Sequence, residues 1–115
     1  MHGELLMEPF FELRIYEVYP NKMSEWIEFM DKEIIPFQRE RGMEINGTFI
    51  MNSSDEFFQK EGERKMHSEK KGSTYVWIRR FQDQDHKKRL YEAIYECSEW
   101  IDYYRPKVRE LINLN

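Results

Sequence analysis

In the segment Thr74-Tyr75-Val76-Trp77-Ile78-Arg79-Arg80-Phe81, Val76 and Ile78 fall on one face while Tyr75, Trp77, Arg79 and Phe81 fall on the other. A period of two is the signature of an extended strand, and the density of β-branched and aromatic residues places this one at the centre of a sheet. Phe10 to Val18 repeats the pattern, with Phe11, Leu13 and Ile15 on one face and Phe10, Glu12, Arg14 and Tyr16 on the other. Each strand therefore has an aliphatic side and a side of aromatic and charged groups. Leu13, Ile15, Val76 and Ile78 are expected to take the helix side, so Glu12, Arg14, Trp77 and Arg79 are expected to project from the sheet face away from the helices.

Helical spacing follows the first strand. Pro20-Asn21 breaks it, and Met23, Trp26, Ile27, Met30, Ile34 and Phe37 recur at steps of three and four, with Asn21 as the expected N-cap. Pro36 lies inside this pattern, removes a backbone donor and crowds the carbonyl of Lys32, which predicts a kink before the helix ends near Gly42. Glu44 to Met51 reads as a second strand with a bulge at Asn46-Gly47. After the Thr74 to Phe81 strand, Asp83 or Asp85 caps a second helix, with Leu90, Tyr91, Ile94 and Tyr95 on its apolar side. Trp100, Tyr104, Val108, Leu111 and Ile112 extend the helical pattern, with Pro106 acceptable in a first turn. The order strand, helix, strand, strand, helix is most of the split β-α-β unit of ferredoxin-like folds. Val108, Leu111 and Ile112 have helical spacing, so the fourth strand of that unit is expected to be missing and the sheet to have three strands.

A chain of 115 residues suits one domain, spanning 1–115, with a charged excursion inserted at Asn52 to Ser73. Ser53 and Glu56 suggest a capping box within it, so a partial helix or a flap is expected there. The formal charge is -4, with acids interleaved among the bases, which argues against a nucleic-acid partner. Cys97 is the only cysteine, and His2, His67 and His86 lack ligand spacing, so neither an intramolecular disulfide nor a metal site is expected. No stretch has the ~20 apolar residues of a membrane span or the ~7 to 15 of a signal core, so a cytoplasmic protein without a membrane partner is expected. Triad, P-loop and dinucleotide motifs are absent, and no cofactor is implied.

Phe11-Glu12-Leu13-Arg14-Ile15-Tyr16, followed by a turn and an amphipathic helix, resembles the YELRxY opening of NIPSNAP-like proteins. Ile34-Ile35-Pro36-Phe37-Gln38, Val76 to Phe81, and Arg89 to Glu96 with Trp100 and Pro106 beyond resemble bacterial members of that family. The resemblance implies an α+β, ferredoxin-like protomer that pairs with a second copy through its open sheet face, giving a dimeric α+β barrel. It implies no particular reaction, because such folds host oxygenases and plain binders alike. The Asn52 to Ser73 excursion and the helical spacing near Asn115 both depart from the family pattern.

Glu12, Arg14, Tyr16, Trp77 and Arg79 form the candidate ligand-binding set. One carboxylate against two guanidiniums leaves positive charge that a small anionic or carbonyl-bearing molecule in the barrel would neutralise. The competing reading is a Glu-Arg network that sets dimer register in a noncatalytic interaction module. A third is an enzyme of the cofactor-independent monooxygenase type, for which the residues name no catalytic group. Tyr16, Tyr91 and Tyr95 would orient a substrate on that reading, or simply pack with satisfied hydroxyls. His86 beside Asp83 and Asp85 reads as a helix cap, and Cys97 as a packed thiol.

Overall fold

The computed structural model describes residues 7–52 and 73–114. Strand β1 is Phe10–Val18, and the chain then turns through Asn21, a non-glycine residue at φ 66°. Helix α1, Met23–Phe29, starts behind Lys22 without a side-chain cap, so Asn21 supplies the turn and not the expected N-cap. A π-helical turn, Met30–Ile34, leads directly into α2, Ile35–Glu40. Its closing bond runs from Ile35 N–H to the Met30 carbonyl, one residue wider than an α-turn. Pro36 has no N–H to give and crowds the carbonyl four residues back, and the widened turn just before it relieves that conflict. The kink expected at Pro36 thus takes the form of a π turn.

Gly42, at φ 101°, reverses the chain into β2, Glu44–Asn52, whose register against β3, Ser73–Phe81, shifts between Ile45 and Gly47. The bulge lies at the predicted Asn46-Gly47. Helix α3, Gln84–Tyr95, is capped by Asp83, whose Oδ1 accepts from His86 N–H at 2.7 Å. A second π turn, Trp100–Tyr104, closes from Arg105 N–H to the Trp100 carbonyl and again precedes a proline, Pro106, at the start of α4, Arg105–Leu111. The chain then extends as β4, Ile112–Asn113.

The four strands form one antiparallel sheet in the order β2-β3-β1-β4, the ferredoxin-like arrangement, with β3 central as its composition predicts. The expected three-stranded sheet is therefore corrected. Val108 and Leu111 are helical, as their spacing requires, but Ile112 turns extended and pairs with Val18 while Asn113 pairs with Glu17. Two residues suffice for a strand here because Ile112 drops its side chain into the core beside Val18. The predicted partial helix or flap in the Asn52 to Ser73 excursion lies outside the described residues, apart from the two ends that finish β2 and begin β3. None of the helices among the described residues is long and apolar enough to cross a membrane.

The sheet's orientation is the larger correction. The alternation is as predicted, but the faces are exchanged. Phe11, Leu13 and Ile15 are 64%, 56% and 61% exposed, whereas Tyr75, Trp77, Arg79 and Phe81 are buried under the helices. Glu12, Arg14, Trp77 and Arg79 accordingly point toward the helices, not away from them. Two effects decide the choice. Tyr75, Trp77 and Phe81 bury far more area each than Val76 or Ile78 would, and the charges on that face find partners supplied by the helices. Trp26, Phe29, Met30, Ile34 and Phe37 from the first helical stretch, Leu90 and Ile94 from α3, and Val108 and Leu111 from α4 complete the core.

Candidate functional site

Cross-strand register aligns the inward residues of β1 and β3 in four pairs: Phe10 with Phe81, Glu12 with Arg79, Arg14 with Trp77, and Tyr16 with Tyr75. Helix α3 lies over the middle pairs and delivers Tyr91 and Tyr95 from positions four apart, while α2 delivers Gln38. Arg79, 0% exposed, donates from Nη2 to Glu12 Oε1 and to the Tyr91 hydroxyl, each at 2.6 Å. Its Nη1 donates to the Tyr95 hydroxyl at 2.7 Å and to Gln38 Oε1 at 3.0 Å. The same guanidinium lies over the Trp77 ring, 4.7 Å from its centroid.

Glu12 also receives the Tyr91 hydroxyl, at 2.8 Å to Oε2, and the Lys87 ammonium at 2.9 Å. Burial pushes this carboxyl upward, but hydrogen bonds from Lys87, Arg79 and Tyr91, together with the Arg79 charge, outweigh it and bring the pKa down to about 2. The Tyr91 phenol is pushed up to about 12, chiefly by burial, against the opposing pull of Arg79. Near neutrality the carboxylate stays ionised and the phenol stays protonated, so the pair holds geometry instead of exchanging a proton.

Arg14 stands apart from this pairing. Half-buried on β1, it donates from Nη1 to the Tyr91 hydroxyl at 3.1 Å and lies 5.7 Å from the Tyr16 ring centroid, with no carboxylate partner among the described residues. Its guanidinium lines a partly open cavity of about 340 Å³ between the sheet and the helices. Tyr16, Trp26, Trp77, Tyr91, Tyr95 and Trp100 form the aromatic wall, with Met30, Ile34, Val108, Ile112 and Leu114 on the aliphatic side and Arg105 as a second guanidinium. Both π turns border the space, through Met30 and Ile34 in one and Trp100 in the other.

Of the residues singled out from sequence, Arg14, Tyr16 and Trp77 line the cavity, while Glu12 and Arg79 sit behind Tyr91 and Tyr95 as its support. Trp26, Trp100, Gln38 and Arg105 were not predicted for the site. The spacings of Trp26 and Trp100 marked helix stripes and those of Gln38 and Arg105 marked nothing, and only the way the helices close on the sheet makes the four neighbours. His86 remains a cap residue, its Nδ1 accepting from Gln82 N–H, and Cys97 packs against the core, donating to the Ile94 carbonyl.

The sheet order and helix placement define a ferredoxin-like α+β domain with a ligand-sized space between its layers. A solved structure described as an uncharacterised NIPSNAP-like domain protein from Burkholderia xenovorans superposes with a TM-score of 0.67, covering 93% of this chain and 78% of that one at 20% identity. The fold is thus the NIPSNAP-like one that the Phe11 to Tyr16 opening suggests. No protein-family model and no curated protein matches the sequence.

Proposed function

We propose that the chain is a cytoplasmic, homodimeric binding domain for a small anionic or carbonyl-bearing molecule, held inside each protomer between sheet and helices. The expected site within a barrel between two copies moves inward with the exchanged sheet faces. The observation that carries the reading is Arg14, a half-buried guanidinium on the cavity wall whose hydrogen-bond partner is a neutral phenol. A half-buried cation with no carboxylate beside it leaves charge unmatched, and a ligand carboxylate would supply the counter-charge with a bidentate fit. A site of this volume with an apolar lining and few polar groups matches ordinary small-molecule pockets of ~300 to 1,000 Å³.

The dimer reading rests on the outward sheet face. Phe11, Leu13, Ile15 and Phe49 are exposed together, with Val76 and Ile78 between them in the register. An apolar face of this kind on a sheet is a contact surface, and a second copy of the same face is its simplest partner.

A panel of small carboxylates and their matched amides, screened for thermal stabilisation, tests the binding reading. Stabilisation by carboxylates that is lost in Arg14→Met is expected. Equal stabilisation of the variant would place any binding elsewhere and overturn the reading.

A further inference from the structure

The hydrogen bonds around the cavity narrow the chemistry of its occupant. The Tyr16 hydroxyl accepts from Trp77 Nε1 at 3.1 Å, and the Tyr95 hydroxyl accepts from Arg79 and Gln38, so each oxygen is already engaged as an acceptor. Neither phenol has an acceptor for its own proton among the described residues. Trp26, 1% exposed and part of the wall, has an indole Nε1–H with no hydrogen-bond partner among the described residues. With the Arg14 guanidinium, the wall presents at least four donors seeking acceptors, whereas the Tyr91 oxygen already receives Arg79 and Arg14. A buried donor left unmatched is costly, so the wall selects for an occupant made of acceptors.

The rest of the wall selects for shape. Six aromatic side chains surround the space, several locked at right angles to each other: Tyr16 to Trp26 at 88°, Tyr95 to Trp100 at 85°. Rings fixed in edge-to-face pairs cannot rotate to follow a flexible chain, and their exposed faces and edges match another flat ring.

Resting on the binding reading above, we propose that the cavity takes a planar aromatic carboxylate, its carboxylate on Arg14 and its ring among Tyr16, Trp26, Trp77 and Trp100. Tyr16 and Tyr95 supply further donors to the acceptor edge. Trp26 gives its N–H to a second acceptor on the ligand where one is present.

The test uses the intact chain and three probes: 2-naphthoate, its neutral counterpart 2-naphthamide, and decanoate as a flexible carboxylate. Binding is read by quenching of tryptophan fluorescence and by shifts of the indole N–H resonances. 2-Naphthoate is expected to bind at least about 10-fold more tightly than either other probe and to shift the Trp26 indole resonance, with a loss of at least about 10-fold in Arg14→Gln, the scale of one charged hydrogen bond. Decanoate binding as tightly as 2-naphthoate overturns the aromatic assignment and leaves the anion-binding reading standing. Equal binding of 2-naphthamide overturns the carboxylate. If no probe shifts a cavity indole, both this assignment and the binding reading fail. Because Arg14→Gln can perturb the Tyr91 contact, Arg14→Lys serves as the second variant and should recover part of the affinity.

Discussion

Arg79 and Glu12 sit directly opposite each other on β3 and β1, and the guanidinium Nη2 lies 2.6 Å from the carboxylate Oε1 beneath helix α3. With the guanidinium fully buried, the carboxylate is what makes that burial tolerable. Glu12→Ala leaves a desolvated cation and is expected to cost about 3–5 kcal/mol in denaturant unfolding. A loss under about 1 kcal/mol would mean that water reaches Arg79 and that the pair contributes little.

The same carboxylate, held ionised by Lys87, Arg79 and Tyr91, shapes the acid limb of stability. The Glu12 pKa lies at about 2 against an ordinary 4.5, so its contribution is fully present above pH 4.5 and is lost as pH falls toward 2. The loss over that window is on the order of 3 kcal/mol. Tyr91 acts in the opposite sense: its pKa, raised to about 12, gives stability that is present below pH 10 and lost as pH rises through 12. Urea midpoints measured from pH 2 to 7 should fall at the acid end, and Glu12→Gln, though less stable throughout, should show a flatter acid limb.

Dimer formation should depend on the outward face and not on the ion pair. Leu13→Glu and Ile15→Lys place charges in the middle of the Phe11 to Ile15 patch without touching the core. Sedimentation at micromolar concentration is expected to give a dimer for the wild type and a monomer for each variant, with near-native thermal stability of the protomer. A wild-type monomer would leave the apolar face to some other partner.

Gly42 gives a backbone prediction that packing does not confound. At φ 101° it favours the absence of a Cβ, and an added Cβ would meet Leu90 Cδ2 at 3.4 Å, an ordinary contact. Gly42→Ala should therefore cost about 1 kcal/mol through the backbone, or about 3–6 °C in Tm.

Asp83 caps α3, the helix that carries Tyr91 and Tyr95. Asp83→Ala is expected to cost about 1 kcal/mol. If α3 frays, the Arg79 and Arg14 contacts should weaken too, which amide exchange along Gln84–Tyr95 would register.

Local chemistry made much of this molecule legible in its sequence. The two-residue period of Phe10 to Val18 and Thr74 to Phe81, the Asn46-Gly47 bulge, the Asp83 cap and the proline-disturbed first helix all depend on residues close together in the chain, and each has its predicted place. Which face of the sheet goes inward is not a local property. Both faces carry enough apolar surface to pack, and the sequence lists Glu12 and Arg79 as charges without saying that Gln38, Tyr91, Tyr95 and Lys87 will be there to receive them. The cavity belongs to the same category, since Trp26, Trp100 and Arg105 become neighbours of Arg14 only when three helical stretches close over one sheet. The short β4 strand follows the same logic: Ile112 has helical spacing, yet burying it beside Val18 outweighs one more turn of helix. Periodicity specified the elements, and long-range satisfaction of buried polar groups decided how they face each other.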